Sequence, residues 1–355
     1  MIKSNDCQNI LINACGVHTG GGYVLLKELI ESIPLHLNTI IWVDQRSDIF
    51  LNKIDGIEFR VVKPNIFARF FAELNIKFTA KKGDSLLCIG NLPPLWRNIA
   101  YTTVFFQNRL ILTFRRSEYL NDYDKLTHIK FFIRRIFLIF FSKNANQFIV
   151  QTESMLNEFK SFLPTQNVIA LPFLGKSLSV PSKLDFFENL KPYSFIYVAS
   201  GEPHKNHKRL IESWILLALE GHYPNLVLTL DFQIWPELCD WINSQTRLYR
   251  LNIVNIGQVN RETVYYHYSM SKALIYPSYV ESFGLPLLEA SENKLPIIAP
   301  ELDYVRDVVV PTETFDPFSS LSIARAVLRF LGKSKKPLEI SSVELFWQNL
   351  VGDEL

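Results

Sequence analysis

Two glutamates with seven residues between them, Glu281 and Glu289, form the clearest chemical pattern in the sequence. Between them, Gly284 permits a close backbone approach, and Pro286 suits the first position of a helix. We therefore expect Glu281 on the loop that enters a helix and Glu289 on the first turn of that helix. An ionised carboxylate only accepts hydrogen bonds and can accept twice from a diol, so the pair suits sugar or ribose hydroxyls. Alternatively, Glu289 only complements the helix dipole, and Glu281 is a surface charge.

Three consecutive glycines, Gly20, Gly21 and Gly22, follow the first apolar run and precede a helix-like stretch over 23–33. Glycines at such a turn let backbone amides approach a phosphate without Cβ obstruction, and the helix N-terminus adds a positive dipole end. A plain strand-to-helix turn, the alternative, needs one glycine. The spacing departs from Gly-x-Gly-x-x-Gly, which argues against a nicotinamide cofactor.

A basic turn follows the first apolar run of the second half of the chain and precedes a helix predicted over 210–219. It contains His204, Lys205, His207, Lys208 and Arg209. Cations are disfavoured at a helix N-terminus, so their presence there indicates that an anion binds. A diphosphate leaving group needs such positive charge as its bond to a sugar breaks. The alternative is a solvated basic helix start.

The elements that must position these motifs follow from alternating apolar runs and helical-period stretches. The runs predict strands over 10–14, 39–43, 57–62, 85–89, 103–106 and 147–150, and a second series over 194–199, 226–231, 252–256, 273–276 and 296–299. Continuously apolar strands of this length suit parallel sheets buried on both faces. We therefore predict an α/β fold of two Rossmann-like, doubly wound domains facing across a cleft, with ligands beyond the carboxyl ends of the strands.

The length of 355 residues also favours two domains. We predict an N-terminal, acceptor-side domain over 1–175, a Pro- and Gly-containing linker over 176–192 and a C-terminal, donor-binding domain over 193–335. A helical tail over 336–355 is expected to pack back on the first domain.

The bulk composition excludes several classes of protein. A formal net charge of +2 provides no global field that would draw the chain to nucleic acid. The four cysteines are scattered, so we expect reduced thiols rather than disulfides or a zinc site. The apolar run at 10–14 is too short for a signal-peptide core, which predicts a cytoplasmic protein.

Two further segments carry charge patterns. Asp122 and Asp124 form an Asp-x-Asp that we interpret as an exposed loop, and we predict no metal. The segment 109–143 holds eight Lys or Arg against three acidic residues, interleaved with Phe, Ile and Leu. Such a segment can lie in a membrane interface or contact a lipid-linked acceptor. A core helix that runs into a buried strand is the alternative.

Taken together, the motifs resemble those of the retaining glycosyltransferases of family 4, which have the GT-B fold. The resemblance is strongest over 197–317 and includes the family's Glu-x7-Glu motif. It rests on Tyr276-Pro277-Ser278, Glu281 to Glu289 with Phe283-Gly284-Leu285-Pro286, Tyr304-Val305-Arg306-Asp307-Val308, Phe315-Asp316-Pro317 and Glu202-Pro203-His204-Lys205-Asn206.

The resemblance implies that Glu281 lies beside the donor sugar, that Glu289 binds the nucleotide ribose and that Lys205 neutralises the diphosphate. It gives Glu281 and Lys205 catalytic roles. The implied donor-binding residues are Gly21, Gly22, His204, Lys205, Glu281, Ser282, Phe283, Gly284, Leu285 and Glu289. His204 stands where the family commonly has Arg, so part of the diphosphate clamp is expected to titrate. Where the family often has a His, this chain has Gln107, Asn108 and Arg109, which become candidate sugar or acceptor contacts.

The implied function is transfer of a hexose-type sugar from a nucleotide-diphosphate sugar to a glycan. The acceptor implied is a lipid-linked polysaccharide or lipopolysaccharide O-antigen of a bacterial surface. No cofactor beyond the nucleotide-sugar co-substrate is expected, and the protein is expected to lie peripherally on the inner face of the cell membrane. Two alternatives remain, a non-catalytic nucleotide-sugar-binding partner of another transferase and a nucleotide-sugar epimerase.

Overall fold

The computed structural model of the chain describes residues 9–34, 36–51, 54–113, 122–173 and 191–333. Within them the chain forms two separate sheets, each with only parallel strand pairs. Three described cysteines, Cys15, Cys88 and Cys239, are free thiols. No helix in the described ranges combines the length and the hydropathy that crossing a membrane requires.

The first sheet has seven strands in the order β3-β2-β1-β4-β5-β6-β7. Its strands are β1 (Asn9–Ala14), β2 (Asn38–Asp44), β3 (Ile57–Val62), β4 (Ser85–Ile89), β5 (Tyr101–Phe105), β6 (Gln147–Val150) and β7 (Val168–Ala170). Its helices are α1 (Gly20–Glu31), α2 (Ile66–Thr79), α3 (Arg109–Thr113), α4 (Lys125–Phe141) and α5 (Glu153–Phe162). The order reverses between β1 and β4, which opens a crevice at the carboxyl ends of these strands.

Helices cover both faces of this sheet. Ala72 of α2, Leu138 of α4 and Phe159 of α5 belong to one buried cluster with residues of the strands. Leu25 and Ile30 of α1 belong to the cluster on the opposite face. Because both faces are covered, the central strands β1, β2 and β4 are mostly apolar, which is the pattern by which they were predicted.

The second sheet has six strands in the order β10-β9-β8-β11-β12-β13. Its strands are β8 (Tyr193–Tyr197), β9 (Leu226–Leu228), β10 (Ile253–Asn255), β11 (Ser271–Ile275), β12 (Ile297–Pro300) and β13 (Glu313–Phe315). Its helices are α6 (His207–Leu219), α7 (Pro236–Tyr249), α8 (Arg261–Ser269), α9 (Leu285–Glu292), α10 (Asp303–Arg306) and α11 (Ser320–Phe330). The order reverses between β8 and β11, so this sheet also has a crevice at its carboxyl edge.

All the strands predicted from the sequence overlap observed strands of these two sheets, and the doubly wound α/β prediction is confirmed. The strands β7 and β13 were not predicted. Each is a three-residue strand at the edge of its sheet. Of the predicted linker 176–192, only Lys191 and Pro192 lie within the described residues, and the tail 336–355 lies outside them. The domain boundaries therefore stay predictions.

Candidate functional site

A cleft of about 1350 Å³ lies between the carboxyl edges of the two sheets. The loops that follow β1, β4 and β5 line one wall, and the loops that follow β8, β9 and β11 line the other. A site for a single small ligand usually measures roughly 300–1,000 Å³, so the cleft has room for two ligands side by side.

Lys205 and Glu281 form an ion pair at the centre of the second-domain wall. The Lys205 Nζ lies 2.6 Å from the Glu281 Oε1, and both side chains are largely buried. The Tyr276 hydroxyl donates to the same oxygen at 2.8 Å. Burial alone would raise the pKa of Glu281, but the Lys205 ammonium outweighs it and holds this pKa below its ordinary value. The carboxylate is therefore ionised at neutral pH.

The turn that carries Lys205 is fixed from three sides. Residues Pro203–Lys205 form one turn of 3₁₀ helix, which ends at Asn206 in the left-handed region with φ of 62°. The Asn206 side chain donates to the Pro277 carbonyl at 3.0 Å and to the Pro317 carbonyl at 2.9 Å. The Tyr197 hydroxyl donates to the Lys205 carbonyl at 2.6 Å. Asn tolerates this backbone region better than most residues, so Asn206 suits the turn.

His204 does not behave as the sequence led us to expect. Its Nδ1 lies 2.6 Å from the Tyr123 hydroxyl of the first domain. Burial, helped by the Lys205 charge, lowers the pKa of His204 to about 4. Burial likewise lowers the pKa of His207 to about 3. Both rings are neutral near pH 7, so the expectation that His204 titrates within the clamp is wrong for that range.

The other cations of the basic turn point elsewhere. Lys208 is exposed and does not line the cleft. The Arg209 guanidinium donates to the Phe318 carbonyl. Lys205 is therefore the cation that this turn contributes to the cleft.

The three glycines lie inside the first turn of α1, because the helix begins at Gly20 rather than at 23 as predicted. A Cβ on Gly22 would lie 2.6 Å from the Gln107 Oε1, and a Cβ on Gly21 would lie 3.3 Å from the Leu285 Cδ1 of the second domain. The glycines thus permit close packing across the cleft. Thr19 makes no side-chain cap bond, and the first turn has no acidic residue, so the amides of this turn stay available to an anion.

A second helix N-terminus lines the cleft from the other domain. Gly284 precedes α9 with φ of 73°, without a side-chain cap and without an acidic residue in the first turn. Its neighbours Ser282, Phe283 and Leu285, which are expected donor-binding residues, also line the cleft.

Glu289 lies one turn further along than expected. It is the fifth residue of α9, on the second turn, because the helix begins at Leu285. The Arg261 Nε lies 3.3 Å from its Oε1, and the Tyr268 hydroxyl donates to its Oε2 at 3.4 Å. Burial raises the pKa of Glu289, and Arg261 only partly opposes the rise. Arg261 also lies 2.5 Å from the Glu28 carboxylate of α1, so it joins the two walls.

The three candidate sugar contacts after β5 differ from one another. Gln107 lines the cleft, and its buried Nε2 has no hydrogen-bond partner within the described residues. Asn108 also lines the cleft. Arg109 lines the cleft too. Its guanidinium also pairs with Glu158 and donates to the Glu281 carbonyl at 3.3 Å, so it links the two walls.

Sequence reasoning missed a carboxylate on the first-domain wall. Glu73 accepts from the Asn13 side chain at 2.8 Å and from the Leu95 amide at 3.3 Å. Burial raises the pKa of Glu73. The residue belongs to the helix α2, where its spacing is that of an ordinary amphipathic helix, so no motif marks it.

The Asp-x-Asp segment begins a helix. Asp122 and Asp124 are exposed, in agreement with the prediction of a loop. The Asp124 side chain accepts from the Thr127 amide at 2.6 Å and caps α4.

The described part of the segment 109–143 is not a core helix. On α4 only Phe131 and Leu138 are buried. Large apolar side chains are instead exposed on α4 at Leu126, Ile129, Phe132, Ile133, Ile136, Ile139 and Phe140. Arg135 points inward, donating to the carbonyls of Ile111 and Leu112. Arg115 and Arg116 lie outside the described residues.

The chain is similar to known glycosyltransferases. Residues 183–342 match the family described as Glycosyl transferases group 1. The chain is 29% identical over 157 residues to the serotype-specific mannosyltransferase WbdA of Escherichia coli, which covers 43% of this chain and 19% of WbdA. The match thus spans about a fifth of the length of that relative.

Two solved structures share the architecture over more than nine tenths of the chain. Sucrose-phosphate synthase of Thermosynechococcus elongatus superposes with a TM-score of 0.66 at 17% identity, covering 92% of this chain and 90% of that one. WaaG, a glycosyltransferase involved in lipopolysaccharide biosynthesis, gives a TM-score of 0.64 at 14% identity, covering 91% and 90%. The fold is GT-B. The cleft lies between the two Rossmann-like domains of this fold, as the sequence predicted.

Proposed function

We propose that the chain is a retaining, metal-independent glycosyltransferase that moves a hexose-type sugar from a nucleotide-diphosphate sugar to a glycan. The observation that carries the proposal is the Lys205–Glu281 pair between two uncapped helix N-termini, those of α1 and α9. One ammonium and two sets of free amides converge on one region of the cleft. That arrangement suits a diphosphate, whose charge grows as its bond to the sugar breaks.

The carboxylate beside Lys205, that of Glu281, is poorly suited to act as a nucleophile, which supports retention by attack on the face that the diphosphate leaves. Glu281 Oε1 already accepts from Lys205 and Tyr276, so its basicity is reduced. In the proposed reaction the acceptor hydroxyl attacks the anomeric carbon while the bond to the diphosphate breaks. A diphosphate oxygen takes the hydroxyl proton. Gln107 is suited to orient the sugar because its buried Nε2 lines the cleft without a partner among the described residues.

Lys205 and the two helix N-termini would replace a metal ion in neutralising the diphosphate. Glu289, buried beside Arg261, would accept hydrogen bonds from the ribose diol. The mannosyltransferase WbdA among the relatives makes mannose the first donor sugar to test. WaaG, involved in lipopolysaccharide biosynthesis, favours a surface glycan as the acceptor.

We propose further that the protein binds peripherally to an anionic membrane through α4 and α2. Exposed apolar residues of α2 are Ile66, Phe67, Phe70, Phe71 and Phe78, and α4 adds the seven named above. Exposed cations of α4, Lys125 and Lys130, accompany them. Apolar side chains bordered by cations suit the interface of an anionic bilayer, and such an anchor fits an enzyme with a lipid-linked acceptor.

The proposed activity is tested by incubating the chain with a panel of UDP- and GDP-linked hexoses, with and without excess EDTA. We expect one donor to raise the melting temperature and to release its nucleoside diphosphate in both conditions. The NMR signal of the anomeric proton of the product shows whether the transfer retains or inverts the anomeric configuration. Complete loss with EDTA, restored by manganese, would contradict metal independence. Conversion of the donor sugar without release of the nucleotide would indicate an epimerase, and binding without turnover by any acceptor would indicate a non-catalytic partner.

A further inference from the structure

Two arginines from different helices, Arg69 on α2 and Arg134 on α4, line the first-domain wall of the cleft. The carboxylate nearest to Arg69 is that of Asp44, at 3.4 Å, but Asp44 is already bound by Arg46 through two contacts of 2.8 Å. Arg134 forms no hydrogen bond or ion pair with the part of the chain that the structure describes. Toward the residues that the structure describes, both guanidinium groups therefore keep most of their N–H donors unused.

The two arginines lie close enough to repel each other. Burial lowers the pKa of Arg134, and the Arg69 charge lowers it further. Arginine stays charged at neutral pH nevertheless. Glu73 follows Arg69 by one helical turn, but its two oxygens accept from Asn13 and Leu95, and burial raises its pKa. Apart from the contact between Arg69 and Asp44, no described carboxylate pairs with these arginines, so the wall carries an excess of positive charge that favours an external anion.

The surroundings of the arginines are apolar. Phe70 and Phe137 line the cleft beside them, and Ile66 at the start of α2 lines it too. Further along the same two helices, α2 and α4 carry additional exposed apolar side chains. An anion attached to a hydrocarbon chain could therefore contact both kinds of group at once.

We infer that Arg69 and Arg134 bind the phosphate group that joins a saccharide acceptor to a hydrocarbon chain. Arginine forks match phosphate oxygens with two parallel hydrogen bonds, which gives both charge and geometry. This site is separate from the donor diphosphate site, which we assign to Lys205 and the N-termini of α1 and α9. The inference deepens the proposed function and rests on it for the identity of the ligand as an acceptor.

Dodecyl phosphate below its micelle concentration is a suitable probe, with dodecyl maltoside and inorganic phosphate as comparisons. Binding is measured by isothermal titration calorimetry to the full chain and to the variant Arg69→Gln/Arg134→Gln. The matched control is Lys81→Gln/Lys82→Gln, which removes two exposed cations of the first domain that neither line the cleft nor belong to α4. Arg134→Gln alone serves if the double variant does not fold, because Arg134 has no described partner to lose. Binding of UDP and GDP reports on the donor site.

We expect the arginine variant to bind dodecyl phosphate at least about tenfold more weakly than the wild type, which is about 1.4 kcal/mol. The lysine control should keep wild-type binding, and nucleotide binding should be unchanged in both. Dodecyl maltoside and inorganic phosphate should each bind more weakly than dodecyl phosphate, since each offers half of the recognised group. Equal loss in the lysine control would attribute binding to a general surface charge and overturn the inference. So would undiminished binding in the arginine variant, or an equal loss of nucleotide binding.

The failure of the inference is distinguishable from that of the proposed function. If dodecyl phosphate binds through the arginines but no nucleotide binds, the phosphate site stands, and the transferase proposal fails. If nucleotide sugars bind and react, but dodecyl phosphate binds the arginine variant as well as the wild type, the transferase proposal stands and the phosphate site fails.

Discussion

The Lys205 ammonium lies 2.6 Å from the Glu281 carboxylate, although 76 residues separate them in the sequence. Each charge is largely buried and is compensated by the other. A diphosphate that binds Lys205 therefore competes with Glu281 for the same ammonium. Removing the Glu281 carboxylate should therefore have opposite effects on nucleoside diphosphate binding and on turnover.

Replacing Glu281 with Gln should lower transfer at least about 100-fold while strengthening the binding of the nucleoside diphosphate. Transfer should fall because the proposed function assigns the Glu281 carboxylate to the donor sugar, and the amide of Gln lacks its charge. Affinity for the diphosphate rises because the Lys205 charge is unpaired and the repulsive carboxylate is gone. Breaking a buried pair destabilises a protein by about 3–5 kcal/mol, so the ligand-free variant should be less stable than the wild type. Because the variant binds the nucleotide more tightly, saturating nucleotide should raise its free energy of unfolding by more than it raises that of the wild type. Urea unfolding with and without nucleotide measures this, and weaker nucleotide binding by a folded variant would contradict it.

Gly22→Ala should act through Gln107. The new Cβ would lie 2.6 Å from the Gln107 Oε1, which is the end of a flexible side chain and can move. We expect a folded variant whose turnover falls about as far as that of Gln107→Ala. The double variant should fall little further, because both changes remove one contact. Additive losses in the double-mutant cycle would show that the two residues act independently.

The strands were the most predictable part of the molecule. β3, β4 and β6 have the bounds predicted, because each is an apolar run between turn residues. In the cleft, the motifs brought Lys205 and Glu281 to one wall but did not indicate that they pair. The Arg261–Glu28 contact joins residues 233 positions apart, and neither belongs to a pattern.

Exposure was the least predictable property. The sequence of α4 is compatible with a core helix or with an interfacial one, since apolar residues occur on several of its faces. Whether α4 is a core helix or an interfacial helix depends on how much of its surface the neighbouring elements cover, and tertiary packing determines this. The charge state of His204 was mispredicted for the same reason, because its burial depends on Tyr123 from the other domain.

Folding stability should fall as the pH falls from about 6.5 to 5, partly through His204. The pKa of His204 is about 4 in the folded chain, below its value in the unfolded chain. Between these values the unfolded chain binds a proton that the folded chain does not, so acid favours unfolding. This one group accounts for about 2 kcal/mol over that range. His204→Gln should flatten the pH dependence of urea unfolding, and His36→Gln, at an exposed position, should not. Equal slopes in all three proteins would contradict the burial of His204.

The exposed face of α4 is tested by vesicle binding. The variant Ile129→Ser/Ile133→Ser/Phe140→Ser should cosediment with phosphatidylglycerol vesicles at least about tenfold less than the wild type. Its unfolding midpoint should be unchanged, since these side chains are exposed. A control with three exposed apolar residues of the second domain changed to Ser, at Leu219, Leu248 and Val310, should bind normally.

Rising salt should weaken the vesicle binding of the wild type, because the lysines of α4 are screened. Unchanged cosedimentation of the α4 variant would contradict the membrane proposal. A wild-type dimer in light scattering that the same variant abolishes would instead assign this face to a second copy of the chain.

The most direct test of the account is the dissociation constant of the nucleoside diphosphate for Lys205→Met, compared with Lys208→Met. Lys208 is the exposed neighbour that does not line the cleft. We expect about 100-fold weaker binding for Lys205→Met, or about 2.7 kcal/mol, and a change below about twofold for Lys208→Met. Lys205→Met/Glu281→Gln removes both buried charges and keeps the test open if the single variant does not fold. Wild-type affinity in a folded Lys205 variant, or an equal loss in both single variants, would contradict a diphosphate site at Lys205.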